Sequence, residues 1–64
     1  MTEKYKNMDV FEATMVAEGV YEADSEEHMV AAWQKLIDTG TAWTLQGWFG
    51  RTAEMLIDKG ICHA

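Results

Sequence analysis

The stretch LIDTGTAWTLQGWFGRTAEMLIDKGIC, residues 36–62, decides the fold. Glycines at 40, 47, 50 and 60 divide it, Trp43, Trp48 and Phe49 stand between them, and the chain has no proline. Gly40 and Gly60 each follow an apolar pair, Leu36-Ile37 and Leu56-Ile57, at the spacing of a helix end. Glycine stops helices because it takes left-handed backbone angles without a steric penalty. The stretch therefore predicts one helix ending at Gly40 and another over about 48–59, stopped by Gly60, with Phe49, Ala53, Leu56 and Ile57 inward and Ile61 packed back on its end. Between them, residues 41–46 read as a short helical turn capped by a threonine, with Trp43 pointing inward beside Leu45. Alternation of Ala42, Trp43 and Leu45 would also permit a strand, but nothing nearby supplies a pairing partner. Gly50 weakens a helix by about 1 kcal/mol relative to alanine, which implies close approach of another backbone.

Upstream, the helix that ends at Gly40 starts near Ser25. Asp24-Ser25-Glu26-Glu27 reads as a capping arrangement in which Asp24 accepts from the Glu27 amide and Glu27 reaches back. Met29, Val30, Trp33, Leu36 and Ile37 form its inner face, and Glu26, Gln34, Lys35 and Asp38 its wet one, over about 25–39. A first helix over about 8–18, capped by Asn7 or Asp9, carries Met8, Phe11 and Met15 at three- and four-residue spacing, with Val10, Ala13 and Val16 widening the stripe. Gly19 stops it, and Val20 and Tyr21 cover the core edge. The first six residues read as a frayed polar start. The fold class is all-α: a single domain over residues 1–64, built as a small bundle of three main helices with a short helical turn near 41–46.

Size limits what this bundle can hide. A chain of 64 residues buries only about 60% of the surface its unfolded form exposes. Three tryptophans, two tyrosines, two phenylalanines and five methionines are a heavy apolar load for that length, so an exposed aromatic patch serving a partner or a second copy is expected. A homo-oligomer would relieve the shortage of core, and a first helix exchanged between copies about a Gly19 hinge is one route to it. One cysteine, Cys62, excludes an internal disulfide. The opening MTEKYKNMDV lacks the apolar run of a secretion signal, and no apolar segment approaches a bilayer span. A soluble, cytoplasmic protein with no membrane partner is the expectation.

Eleven acidic residues against five basic ones give a net charge of −6, which repels a phosphate backbone. Direct nucleic-acid binding is accordingly not expected. A helix-turn-helix reader is further disfavoured: the 40–47 connection is long, and Arg51 and Lys59 are offset by Glu54 and Asp58. Glu18, Glu22, Asp24, Glu26 and Glu27 crowd into ten residues. They read as a solvated linker and helix start, or as an acidic face, Glu22, Glu26 and Glu27, that imitates DNA in a basic channel.

No catalytic constellation emerges, so no enzyme, cofactor or metal site is expected. Cys62-His63 cannot enclose a metal or activate a nucleophile unaided, and His28, in the first turn of its helix, reads as a surface side chain. Arg51 is the one charge set among the aromatics. It either ties the last helix to Asp38 or to a carbonyl at the Gly40 turn, or joins Gln46 and Trp48 in a partner-binding cluster, since arginine and tryptophan dominate interface energetics. Trp33 and Trp43 read as core.

Leu36-Ile37-Asp38-Thr39-Gly40, Trp43, Leu45-Gln46-Gly47, Gly50-Arg51-Thr52-Ala53, Leu56-Ile57 and Gly60 to Cys62 together resemble a pattern of small uncharacterised proteins of tailed bacteriophages. The resemblance implies a viral origin and an accessory role in an infected bacterium, with no activity or catalytic residues to carry over. The functional expectation is a phage-type accessory protein that binds a bacterial host or phage protein and modulates or inhibits it. A DNA-mimic inhibitor and a self-assembling structural protein are the alternatives.

Overall fold

In a computed structural model, which describes Tyr5 and residues 7–64, the described residues form three α-helices with a 3-10 turn between the second and third. These are α1 (Val10–Glu18), α2 (Glu26–Asp38), the turn Thr41–Trp43 and α3 (Gly47–Asp58). The all-α bundle expected from the sequence is the observed fold, and the strand alternative for 41–46 is not formed.

Asp9 starts α1 by accepting a hydrogen bond from the Glu12 amide at 2.8 Å. Met8, the residue before this cap, is buried together with Ala13 one turn in, the arrangement of a hydrophobic staple. At the other end the Val20 amide bonds the Met15 carbonyl and the Gly19 amide that of Val16, closing α1 with a left-handed glycine at φ 84°. α3 closes in the same way: the Ile61 amide bonds Leu56 and the Gly60 amide bonds Ile57. α2 ends differently. The Thr39 hydroxyl donates to the Lys35 carbonyl at 3.0 Å and bonds the Thr41 hydroxyl at 2.7 Å, stitching the helix directly to the following turn.

α1 packs most extensively on α2, and the 3-10 turn bridges α2 and α3. The α1 surface that reaches the core carries Ala13 and Val16, both wholly buried, and α2 contributes wholly buried Ala32 and Leu36. Small side chains let two helix backbones come close, so they, rather than the larger residues of the stripe, set the rotation of α1. Phe11, expected inside, is in consequence 63% exposed and packs edge-to-face with Tyr21, with centroids 6.3 Å apart. Val20 and Tyr21, expected over the core edge, are exposed as well.

α3 reaches α2 through rings. Trp33 is buried against Phe49 at 5.7 Å and meets the edge of Trp48 at 6.3 Å, while Trp48 and Phe49 stack at 4.0 Å. The tail beyond Gly60 returns to α2, where the Gln34 side chain pairs with the His63 backbone, donating to its carbonyl at 2.7 Å and accepting from its amide at 3.0 Å. Gln34 was expected to face water; it is instead the anchor of the tail. This pairing buries Cys62 and leaves Ile61, expected to pack on the helix end, exposed.

Candidate functional site: a groove between the 3-10 turn and α3

The turn after α2 places Ala42, not Trp43, in the core. Gly40, at φ 78°, redirects the chain, and the Trp43 and Thr44 amides bond the Gly40 and Thr41 carbonyls. This rotation leaves Trp43, expected inside, 47% exposed and laid across α3. A Cβ built on Gly50 would lie 3.4 Å from Trp43 Cδ1 and 3.8 Å from the Ala42 carbonyl oxygen. The close approach that Gly50 implied is therefore real, and what approaches is an indole ring together with the turn's backbone.

Trp43, Leu45, Gln46, Gly47, Gly50 and Arg51, with Ala42 and Glu54, surround an open groove of about 230 Å³. Residues 47, 50, 51 and 54 share one face of α3 by helical spacing. Trp48 lies one step round the helix, on the flank that meets Trp33 and Phe49, with 37% of its surface exposed. Of the three residues expected to act together, Gln46 and Arg51 thus line the groove and Trp48 does not, packing on Trp33 and Phe49 instead. Trp43 takes the place beside them that the sequence assigned to Trp48; the glycine at position 50 was the available signal, since it marks where the turn lies against α3.

Arg51 is exposed and forms no ion pair or hydrogen bond among the described residues. Neither the expected tie to Asp38 nor one to a carbonyl at the Gly40 turn is made; Asp38 accepts from the Gln34 amide nitrogen at 2.9 Å. The guanidinium leans toward the start of α3, with Nη1 3.3 Å from where a Gly47 Cβ would stand. That helix start also differs from the other two. Asp9 caps α1 and Ser25 caps α2, but Gln46 contributes no side-chain bond to α3.

The acidic segment is arranged otherwise than the sequence implied. Ser25, not Asp24, caps α2, accepting from the His28 amide at 3.2 Å. The Asp24 amide donates to His28 Nδ1 at 2.9 Å. His28, expected on the surface, is 6% exposed, its ring stacked on Tyr5 at 4.5 Å and 5°. Nε2 is buried without a hydrogen bond, and Glu12 Oε2 stands 3.8 Å away. Moving the cap by one residue is what lets the imidazole reach back and fasten the linker. Of the three candidate acids, Glu22 and Glu26 are exposed, whereas Glu27 is half-buried with one carboxylate oxygen enclosed.

Cys62 is buried under α2, its thiol directed at the Val30 carbonyl at 3.9 Å. Burial, and secondarily the negative charge of Asp38, push the thiol above its ordinary range, which disfavours the reactive thiolate. Among the described residues no three of histidine, cysteine, aspartate and glutamate converge to hold a metal ion. No helix among them is long and apolar enough to cross a membrane.

Residues 15–64 match the family described as a domain of unknown function, DUF7417, and since they make up more than three quarters of the chain, the chain belongs to that family. The matched segment begins within α1 and includes every residue of the groove. No curated protein and no solved structure matches the chain.

Proposed function

We propose that this protein is a non-catalytic, phage-type accessory protein that works in the bacterial cytoplasm by binding a host or phage protein and modulating it through the groove between the 3-10 turn and α3. The observation that carries the reading is the company Arg51 keeps: a cation without an ion pair or hydrogen bond among the described residues, set among the exposed side chains of Trp43 and Leu45. Such a combination is poor for a free surface and good for an interface, where indole and guanidinium groups supply most of the binding energy. The accessible surface of 4156 Å² is close to the roughly 4,200 Å² of a folded monomer of this mass. The exposed rings are therefore not the result of loose packing. Phe11, Val20 and Tyr21 form a further exposed group on which a second copy could sit.

The acidic alternative draws less support. A DNA mimic needs rows of outward carboxylates, and in this segment Glu27 is half-buried while the Asp24 backbone is tied to His28.

The experiment is affinity capture of the tagged protein from phage-infected bacteria, comparing the native chain with Trp43→Ala, Trp48→Ala and Arg51→Ala. Loss of one defined protein from the capture, with helicity by circular dichroism intact, supports the reading. Capture unchanged by all three substitutions removes it. Sedimentation of the pure protein checks for the oligomer.

A further inference from the structure

The geometry points to a groove with a charge direction, built for a short extended segment of a partner protein that carries an acid and a base on either side of apolar side chains. This inference rests on the protein-binding reading above and specifies what the groove selects.

The groove face of α3 runs through Gly47, Gly50, Arg51 and Glu54. Arg51 does not extend toward Glu54, one turn further on, but back over Gly47 at the helix start. Neither an ion pair nor a hydrogen bond holds it there among the described residues. Positive charge therefore gathers at the Gly47 end, where the helix dipole has the same sign and no side-chain cap offsets it. Glu54 supplies negative charge at the other end. Between them lie the apolar side chains of Trp43 and Leu45 and, at Gly50, a stretch of α3 without a side chain.

From residue 47 to residue 54 a helix rises about 10 Å. An extended chain advances about 3.3 Å per residue, so the first and fourth residues of a segment span the same distance. An acid at one of these positions meets Arg51, a base at the other meets Glu54, and the residues between contact Trp43 and Gly50. The chain's net charge of −6 would otherwise favour basic partners without regard to order. A requirement for both signs is thus a property of the groove and not of the molecule's overall field.

The test uses the full-length ¹⁵N-labelled protein titrated with three peptides: acetyl-Asp-Leu-Leu-Lys-amide, and the like-charged acetyl-Asp-Leu-Leu-Asp-amide and acetyl-Lys-Leu-Leu-Lys-amide. The amide signals of Gly47 and Gly50 and the Trp43 indole N–H report occupancy. The mixed peptide is expected to bind tightest, each like-charged one roughly two- to fivefold more weakly, as exposed charge pairs allow. Arg51→Gln should abolish the mixed peptide's advantage over the basic peptide, and Glu54→Gln its advantage over the acidic one. Equal binding of all three peptides, or preference for a like-charged one, overturns the inference while leaving a protein-binding groove in place. Absence of any shift at these three reporters with all peptides also overturns it. The protein-binding reading itself falls only on the capture experiment, so the two failures are distinguishable.

Discussion

Two places in this molecule set an aromatic ring beside a polar side chain, and they end in opposite states. At the α1–α2 end, Tyr5 stacks flat on His28, Nδ1 is occupied by the Asp24 amide, and Glu12 stands near Nε2. At the α3 end, Trp43 and Arg51 line the same groove, and the guanidinium forms no ion pair or hydrogen bond among the described residues. The first is a plug that holds two helices and a linker together. In the second, the ring rests on Gly50 and the cation makes no ion pair or hydrogen bond among the described residues. The difference lies in what surrounds each pair. The plug sits at a helix start where side chain and backbone complete each other, while the groove sits at a helix start that has no side-chain cap.

That contrast predicts a graded series. His28→Ala should show the largest effect, because it removes a buried stacked ring and strands the Asp24 amide, at a loss of about 2–3 kcal/mol in urea unfolding. A loss under about 0.5 kcal/mol would mean the plug is ornamental. Gln34→Ala gives up the paired bonds to the His63 backbone and should cost about 1–2 kcal/mol, with earlier proteolysis of the tail.

Gly50→Ala should act in the other direction. Alanine is the better helix former by about 1 kcal/mol, and its methyl would only touch Trp43 at an ordinary contact distance. Melting temperature should rise slightly while partner capture falls, since the groove floor is filled. A variant both more stable and fully competent in capture would show that the floor is not used.

Cys62 gives a smaller, pH-dependent term. Its folded-state pKa is raised, so the stability it contributes is complete below the unfolded thiol's pKa, near 8.5, and declines as pH climbs through and above that range. Thermal melts of the native chain should fall more steeply above that pH than those of Cys62→Ala; parallel curves would contradict the burial. The smallest effect on stability is expected for Arg51→Ala, within about 0.5 kcal/mol by chemical denaturation. A loss of 2 kcal/mol or more would place Arg51 with the plug and end its reading as a free cation.

How far the sequence was legible follows from the range of the forces involved. The three helices, their order and their stops could be read because caps and left-handed glycines act over four or five residues. Asp9, Gly19, Gly40 and Gly60 do what such residues do in any helical chain. Gln46 and Arg51 were found as candidates because an isolated charge among aromatics is visible in one dimension. Trp43 was misplaced because its neighbours in sequence do not determine whether Ala42 or the indole fills the core. His28 was misplaced because the ring that covers it, Tyr5, lies 23 positions away.

The sequence by itself determined an all-α chain with three helices joined by short, glycine-ended connections, since local hydrogen bonding and backbone freedom require no distant partner. Tertiary structure alone decided which faces those helices present. The close approach of Ala13 and Val16 to α2 turned Phe11 outward, the return of the tail to Gln34 buried Cys62, and the packing of Ala42 into the core laid Trp43 onto Gly50. Each is a choice between side chains of similar hydrophobicity, settled by which packs at the available distance rather than by which is the more apolar.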